Sequence, residues 1–282
     1  MSPTDSEVLA VVRQGDPDRY LATLYAPAVH RSALLALYAF NVEVAAVRER
    51  ISQPLPGEVR LQWWRDVLSA GDAAAAGGHP VATALLEAIG TYHLPLSTFQ
   101  NMLEARVFDL YDDPMPSRTD LEGYCGETAC ALIQLSALVL DAEAAAGTAH
   151  LAGHAGCAQA IAGLLRLLPI HRRRGQCYVP LDILQAAGTT RDAFVGGADR
   201  ESAARAVAAM AALGREHLKA FREGAGDLPA SLRPAYLPVA LAGAYLERIE
   251  RGAADPLEET AGISPLRRHW LLLGHAMRGW RG

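Results

Sequence analysis

The segment AGCAQAIAGLLRLLPIHRRRGQCYVPLDIL, from Ala155 to Leu184, decides the fold prediction. Its first half carries small and apolar residues at the spacing of a buried helix. Its second half becomes basic at His171 and is interrupted at Gly175 and Pro180, because glycine and proline break regular structure. The segment therefore predicts a core helix that opens into a polar rim.

Helical patterns continue on both sides of this segment. The residues from His30 to about Glu49 are apolar nearly all round, which is typical of a helix buried on most sides. A further helix is expected to end at Gly71, and an alanine-rich one to run from Arg200 to Glu223. No stretch alternates with period two for long enough to predict a strand, so we expect an all-α protein with roughly ten or more helices.

Length and composition predict a single domain over residues 1–282. The chain has 282 residues, of which 51% are hydrophobic, and no linker-like tract divides it. All-helical chains of this size commonly fold around one core. No uninterrupted apolar run reaches the roughly 18 residues that a transmembrane helix needs. We therefore expect a large helical core and no membrane span.

Charge argues against one class of partner. The formal net charge is −5, and the only dense basic run is local, from His171 to Arg174. A nucleic-acid-binding face requires a basic excess over a whole surface, so no nucleic-acid partner is expected.

Cysteine usage and the N-terminus bear on the compartment. The four cysteines, Cys125, Cys130, Cys157 and Cys177, form no CxxC pair, which indicates neither a disulfide framework nor a zinc ribbon. The N-terminal MSPTDSEVLAVV has acidic residues before its first arginine and no apolar core, unlike a secretory or mitochondrial presequence. A cytoplasmic location is expected, with peripheral contact to the inner membrane left open.

Two weaker patterns have alternative interpretations. His150, His154 and Cys157 are spaced to share one helix face as soft-metal ligands, but a cysteine among alanine and glycine is more often simply buried, and we predict no metal site. Trp270 and Trp280 are more often core or interface anchors, although tryptophans near a terminus also contact membrane surfaces.

Six motifs in a fixed order carry a family resemblance. They are YLATLYAPAVHRSALLALYAF at 20–40, LQWWRD at 61–66, FDLY at 108–111, the YC that begins at Tyr124, GQCYVP at 175–180 and AYLERIER at 244–251. In this order the chain resembles the squalene/phytoene synthases over nearly its whole length. The resemblance implies the isoprenoid synthase helical bundle with a central cavity for prenyl chains. In active members, two Asp-rich motifs hold Mg²⁺ on a substrate diphosphate.

The acidic motifs of that family are largely replaced here. An Asp-x-x-x-Asp pair on a helix presents both carboxylates on one face, and Mg²⁺ prefers such oxygen ligands. By the resemblance, the first motif falls at Ala45 and Glu49 and the second at Leu167 and His171. Three further polar positions of the family fall at Val42, Ala160 and Gly163. The resemblance thus implies that a trinuclear magnesium site is lost.

One branch of the family is more similar to this chain. AFNVEVA at 39–45, GCAQAI at 156–161 and LLRLLPIHRRRGQCYVPLDI at 164–183 resemble the phytoene-synthase-like assembly factors of respiratory complex I. The chain differs from the mitochondrial members in having no presequence, which suggests a bacterial counterpart.

Two functions follow from the resemblance, and both stay open. The first is a non-catalytic binding or assembly protein for respiratory complex I, with a protein partner, a prenyl or lipid ligand, no catalytic residue and no cofactor. The second is an active prenyltransferase of isoprenoid biosynthesis that joins two prenyl diphosphates head to head and requires Mg²⁺. The joint loss of metal ligands favours the first.

Nine residues are the candidate ligand-binding set. They are Tyr38, Glu49, Asp109, Tyr124, Arg166, His171, Arg174, Tyr178 and Tyr245. The tyrosines match aromatic positions that line the family's cavity, and the arginines suit an anionic head group. The alternatives are ordinary core tyrosines, cations at a solvated helix end, and an aspartate paired with a nearby arginine. We also expect Glu49 and His171 to approach the same cavity mouth from opposite helices.

Overall fold

Helices account for all regular secondary structure in the computed structural model, which describes residues 3–72, 74–251 and 255–280. The all-α prediction is therefore confirmed over these residues. The α-helices are α1 (Pro3–Gly15), α2 (Pro17–Thr23), α3 (Ala28–Ala45), α4 (Pro54–Ala70), α5 (Pro80–Tyr92), α6 (Leu96–Val107), α7 (Arg118–Cys125), α8 (Ala131–Leu140), α9 (Ala142–Ala145), α10 (Ala149–Arg166), α11 (Leu168–Arg173), α12 (Leu181–Ala186), α13 (Arg191–Gly196), α14 (Arg200–Gly224), α15 (Arg233–Tyr236), α16 (Ala242–Glu250) and α17 (Pro265–Arg278).

Short segments of tighter or wider helix connect several of these elements. The 3-10 helices include Arg48–Arg50, Phe108–Leu110, Ala225–Asp227, Ala230–Leu232 and Leu237–Leu241. A π-helical segment, Gly126–Cys130, joins α7 to α8.

Local chemistry sets most helix ends. Helix α4 begins at Pro54, because proline lacks an N–H that the first turn would leave unpaired anyway. It ends before Gly71, which has φ +69°, a conformation that glycine adopts without strain. Helix α3 ends at Ala45, earlier than the expected Glu49, because the chain tightens there: the Glu49 N–H donates to the Ala46 carbonyl at 3.1 Å.

The chain forms two compact units, which we describe one at a time. The first comprises the described residues of Met1–Tyr111, Ala131–Ala149 and Pro229–Leu237. The second comprises those of Asp112–Cys130, His150–Leu228 and Pro238–Gly282. A single domain over residues 1–282 stays a prediction, and residues 1–2 of the N-terminal segment lie outside the described residues.

Helix α3 forms the centre of the first unit. It packs against α1, α5 and α8, which confirms that it is buried on most sides. The Phe40 ring meets Trp64 and Phe99 edge-on, with centroids 5.1 and 5.6 Å apart. Gly15 at the end of α1 contacts Val42 so closely that an added Cβ would lie 2.4 Å from the valine Cγ1.

The long helix α14 organises the second unit. It packs against α12 and α16, and its buried face includes Met210, Leu218 and Phe221. The side chain of Asp199 caps its N-terminus by accepting hydrogen bonds from the N–H groups of Glu201 and Ser202. The alanine-rich helix expected from Arg200 to Glu223 is thus present and ends one residue later, at Gly224.

Among the residues that the structure describes, one helical stretch, Arg118–Leu140, is long and apolar enough to cross a bilayer by length and composition alone. The sequence criterion of an uninterrupted apolar run does not select it, because Glu122, Glu127 and Gln134 interrupt the run, whereas mean hydropathy tolerates them. Within its most apolar window, 61% of the residues are buried in the structure. A buried core helix passes the same test, so this stretch is weak support for a membrane span.

Candidate ligand-binding residues and family membership

Tyr38 is a buried polar position on α3 in the first unit. Its ring is 2% exposed, and the Arg19 guanidinium lies 5.8 Å from the ring centroid. Burial raises the pKa of the Tyr38 phenol, while a hydrogen bond with Ser136 acts in the opposite direction. The hydroxyl therefore stays protonated and has a partner within the unit.

Asp109 also has a partner within the first unit. It is 4% exposed, and its carboxylate accepts a hydrogen bond from Arg106 Nη1 at 3.0 Å. Arg106 Nη2 donates in turn to Asn41 Oδ1 at 3.4 Å. Asp109 thus makes the pairing with a nearby arginine that was the alternative to ligand binding. Its ligand-binding role stays a prediction.

The first motif position of the family ends α3 without a carboxylate pair. Ala45 is the last residue of the helix, and Glu49 lies exposed in the following 3-10 helix. Glu43 of α3 forms an ion pair with Arg50 of the 3-10 helix, with an N–O distance of 3.1 Å. Of the two motif positions, only Glu49 offers oxygen ligands.

The helix of the second motif is broken between α10 and α11. Helix α10 ends at Arg166, and α11 begins at Leu168 with Pro169 in its first turn. Proline lacks an N–H to continue the ladder, which explains the break. The His171 N–H still donates to the Leu167 carbonyl at 3.1 Å, so the two motif positions stay one turn apart.

Three candidate residues come together in the second unit. The His171 and Tyr178 rings have centroids 4.9 Å apart, and those of Tyr178 and Tyr124 are 5.9 Å apart. Gln176 Nε2 donates to the Tyr178 hydroxyl at 3.3 Å. His171 therefore has an aromatic neighbour, in a place where the resemblance would put a metal-binding aspartate.

Arg166 and Tyr245 form a second candidate pair in this unit. The guanidinium carbon lies 4.8 Å from the tyrosine ring centroid, which is a cation–π arrangement. Arg166 Nη1 and Arg268 Nη2 each donate to the Tyr245 hydroxyl at 3.4 Å. The buried Nε of Arg166 has no hydrogen-bond partner among the described residues. The Nε atoms of Arg191 and Arg248 are in the same state, so the cation–π pair with Tyr245 is the more specific feature of Arg166.

The residues of the basic run at the C-terminal end of α11 have different roles. Arg172 donates to the backbone carbonyls of Phe194, Val195 and Leu257, the last at 2.7 Å. Arg172 therefore anchors two distant backbone segments, 194–195 and Leu257, and its Nε, Nη1 and Nη2 donors are all engaged there. Arg174 lies half-buried at the C-terminal end of α11, and its ligand-binding role stays a prediction.

The sequence did not reveal the partners of these residues. Arg19 contacts Tyr38 and Arg268 contacts Tyr245 from other helices, and no local pattern marks either arginine. Arg106 is different, because it lies three residues before Asp109 and fits the expected pairing with a nearby arginine. His154, a weak metal candidate, pairs instead with His217, 63 residues away. Among the described residues, no group of three or more His, Cys, Asp or Glu side chains is arranged to hold a metal ion.

Two clefts lie within the first unit. The larger, of about 660 Å³, is lined by residues of α1, α2, α3 and α5 that include Val8, Tyr20 and Tyr92. The smaller, of about 270 Å³, is lined by Trp63, His79 and other residues. Neither of these clefts is lined by Tyr38, Glu49 or Asp109.

A family model described as squalene/phytoene synthase matches residues 12–271. The chain belongs to the squalene/phytoene synthase family. The expected family is thereby confirmed, and with it the reading of the motifs as markers of this fold.

The similar proteins of the family carry two kinds of name, complex I assembly factor and presqualene diphosphate synthase. The bovine (Bos taurus) protein named NADH dehydrogenase (ubiquinone) complex I, assembly factor 6 is 29% identical over 250 residues, which cover 89% of this chain and 75% of the relative. The Mus musculus protein of that name is 30% identical over 243 residues, which cover 86% of this chain and 73% of the relative. A presqualene diphosphate synthase from Zymomonas mobilis is 28% identical over 61% of this chain and 59% of its own.

Solved structures of squalene/phytoene synthase type share the fold. A dehydrosqualene synthase with a bound ligand superposes with a TM-score of 0.79 at 20% identity, over 96% of this chain and 94% of that chain. A squalene synthase from Alicyclobacillus acidocaldarius superposes with a TM-score of 0.74 at 21% identity, over 88% of this chain and 93% of that chain. The isoprenoid synthase helical fold is confirmed.

The magnesium site of active squalene/phytoene synthases does not fit the side chains found here. Ala45 offers a methyl group, Leu167 an alkyl chain and His171 an imidazole beside Tyr178. Mg²⁺ prefers oxygen ligands in octahedral geometry, which such groups cannot supply. These side chains therefore do not support a mechanism through bound Mg²⁺.

Proposed function

We propose that this squalene/phytoene synthase family member is a non-catalytic protein that assists the assembly of respiratory complex I. The observation that carries the proposal is the donor set at the two motif positions, where Ala45, Leu167 and His171 provide no oxygen ligand. The names of the bovine and mouse relatives point to the same role. In this proposal the protein works without a magnesium cofactor.

The chemistry of diphosphate departure explains why those positions matter. The leaving diphosphate is highly anionic, and metal ions held by carboxylates neutralise its charge in metal-assisted phosphoryl chemistry. His171 and its neighbours Arg173 and Arg174 add positive charge but cannot hold Mg²⁺. Such residues support binding of an anion without the metal geometry that ionises it.

A lipid or prenyl ligand with an anionic head is the ligand part of the proposal. Arg166 supports it, because its Nε is buried and has no hydrogen-bond partner among the described residues. Tyr245 holds the guanidinium in place through its ring and hydroxyl. The rings of His171, Tyr178 and Tyr124 supply apolar surface in the same unit.

We also propose a cytoplasmic protein that contacts the inner membrane peripherally through α17. Four residues on one face of this helix are exposed: Leu266 by 68%, Trp270 by 65%, Leu273 by 38% and Met277 by 73%. The helix sequence PLRRHWLLLGHAMR contains arginines and no acidic residue, although the chain as a whole is acidic. A basic amphipathic helix with an exposed tryptophan is typical of helices that lie in a membrane interface.

An active head-to-head prenyltransferase is the second candidate, favoured by the similarity to the presqualene diphosphate synthase. The two functions are separated by incubating the full chain with prenyl diphosphates and Mg²⁺ while pyrophosphate release and hydrocarbon product are followed. We expect turnover at background. Metal-dependent product formation would overturn the non-catalytic proposal.

The assembly role is tested by deleting the gene in its source organism. We expect the membranes to lose NADH–quinone oxidoreductase activity and the wild-type gene to restore it. Arg166→Met should restore it poorly, whereas Arg173→Met, an exposed position of the same basic segment, should restore it fully. Unchanged oxidoreductase activity after deletion would contradict the role, whatever the ligand.

A further inference from the structure

Three of the four cysteines converge in the second unit, at the π-helical segment. Cys125 ends α7, Cys130 ends the π-helical segment, and Cys157 lies on α10. All three are free and buried, with exposed fractions of 0%, 3% and 6%. The Sγ atoms of Cys130 and Cys157 are 4.0 Å apart.

The backbones of α10 and the π-helical segment are in direct contact at this point. A Cβ added to Gly156 would lie 2.5 Å from both the N and the Sγ of Cys130. A disulfide needs an Sγ–Sγ distance of about 2.0 Å, so the two sulfurs lie within about 2 Å of bonding distance. Single-turn π-helical insertions often mark functional sites.

The surroundings favour one of the three sulfurs as the thiolate. The Cys130 thiol donates to the Gly153 carbonyl at 3.2 Å, and in its contact with Cys157 either sulfur can be the donor. Hydrogen bonding with Cys125 and Cys130 holds the pKa of Cys157 below its usual range, and the nearby His217 lowers it further. The same hydrogen bond to Cys157, followed by burial, raises the pKa of Cys130 and of Cys125. Thiolate is the nucleophilic form of cysteine, so these directions favour Cys157 as the attacking sulfur.

A row of imidazoles, which acts electrostatically on Cys157, reaches the protein surface. His150 is exposed, and its ring centroid lies 4.7 Å from that of His154. His154 Nδ1 lies 3.0 Å from His217 Nδ1, and His217 Nε2 lies 3.1 Å from the Glu122 carboxylate. Arg118 holds Glu122 with a hydrogen bond of 2.8 Å.

We propose that Cys157 and Cys130 are a peroxide-reactive thiol pair that closes to an intramolecular disulfide. The proposal goes beyond the assembly role and does not depend on it. The thiolate of Cys157 attacks one oxygen of hydrogen peroxide, the O–O bond breaks, and hydroxide leaves, which gives a sulfenic acid on Cys157. The Cys130 sulfur then attacks the sulfenic sulfur, the S–O bond breaks, and water leaves with the Cys130 proton. In total, two thiols are oxidised and one peroxide is reduced to two waters.

The test is exposure of the full chain to hydrogen peroxide, followed by alkylation under denaturing conditions and mass spectrometry. We expect the alkylatable thiols to fall from the four of the chain to two, with a Cys130–Cys157 linkage in the peptide map that dithiothreitol removes. Cys130→Ser should stop the reaction at a sulfenic acid on Cys157, detected with dimedone. Cys177→Ser is the matched control, because Cys177 is also buried, and this variant should form the linkage as the wild type does.

Several results would overturn the proposal. One is a Cys125–Cys157 linkage in the wild type, and another is loss of the disulfide in Cys125→Ser but not in Cys130→Ser. A third is retention of all four thiols at a peroxide concentration that fully oxidises free glutathione. Because the linkage is read on the wild type, a variant that fails to fold does not decide the outcome.

Discussion

His154 and His217 face each other through their Nδ1 atoms, which are 3.0 Å apart. At this distance one Nδ1 must donate a proton and the other must accept it, so the two rings cannot both be imidazolium ions. Burial, followed by the charges of His217 and His150, lowers the pKa of His154. The folded protein therefore holds His154 neutral at a pH where the unfolded chain protonates it.

This pairing predicts an acid-dependent loss of stability. Histidine in an unfolded chain has a pKa of about 6.5, so below that pH the unfolded state binds more protons at this position and the free energy of unfolding falls. The loss ends once the pH passes the lowered pKa of the folded state. Glu216, whose carboxyl pKa is lowered by Arg118, contributes only in a more acidic range, below about pH 4.5.

The measurement is the urea midpoint at about pH 7.5, 6.5 and 5.5, on either side of the histidine pKa. We expect the wild type to lose stability over this window and His154→Asn to lose clearly less. His269→Asn, at an exposed position of α17, should follow the wild type. Equal slopes for all three proteins would refute the assignment.

Adding a single methyl group at Gly156 should strongly destabilise the folded protein. Gly156→Ala would place Cβ 2.5 Å from a backbone nitrogen that cannot move aside, so we expect a loss of roughly 3 kcal/mol or more, as for overpacking of a well-packed core. On the same helix, Gly163→Ala meets nothing within 4 Å and should stabilise the protein by about 0.5–1 kcal/mol through helix propensity. Thermal or urea unfolding of both variants checks the contrast. Similar destabilisation by both would mean that the close approach of α10 to Cys130 is absent.

Carboxylates at the second motif should create metal affinity. Leu167→Asp with His171→Asp places two carboxylates one turn apart, because the His171 N–H bonds to the Leu167 carbonyl. We expect Mg²⁺ binding in the millimolar range, measured by isothermal titration, where the wild type gives none. Leu167→Asn with His171→Asn has nearly the same shape without charge and should bind no better than the wild type. Strong Mg²⁺ binding by the wild type itself would contradict the loss of the site.

The exposed face of α17 predicts binding to anionic membranes. Trp270→Glu removes a large apolar contact and adds a repelling charge, so we expect at least about tenfold weaker binding, equivalent to about 1.4 kcal/mol. The measurement is co-sedimentation with phosphatidylcholine vesicles, with and without phosphatidylglycerol. Val59→Glu is the matched control, because Val59 is a comparably exposed apolar residue of α4, 61% exposed. The proposal fails if neither lipid mixture binds the wild type, or if Val59→Glu weakens binding as much as Trp270→Glu.

Local sequence determined the helical class and the main helix boundaries of this protein. Gly71 ends α4 and Pro80 begins α5 because the conformational preferences of glycine and proline act within one turn. The apolar surface of α3 predicted its burial for a similar reason, since its side-chain pattern depends only on helix geometry. The order of the six motifs was enough to predict the family, because such motifs are defined by residue identity and spacing alone.

Only the tertiary structure decided which side chains meet. Arg172 looked like one of several surface cations, yet it bonds to carbonyls of Phe194, Val195 and Leu257. His154 meets His217 from a helix 63 residues further along the chain, and Cys130 meets Cys157 across a π-helical segment. Such contacts depend on how helices pack and on where a backbone widens by one residue. Helix packing and the position of the π-helical segment depend on the burial of residues far apart in the chain, which no local sequence pattern encodes.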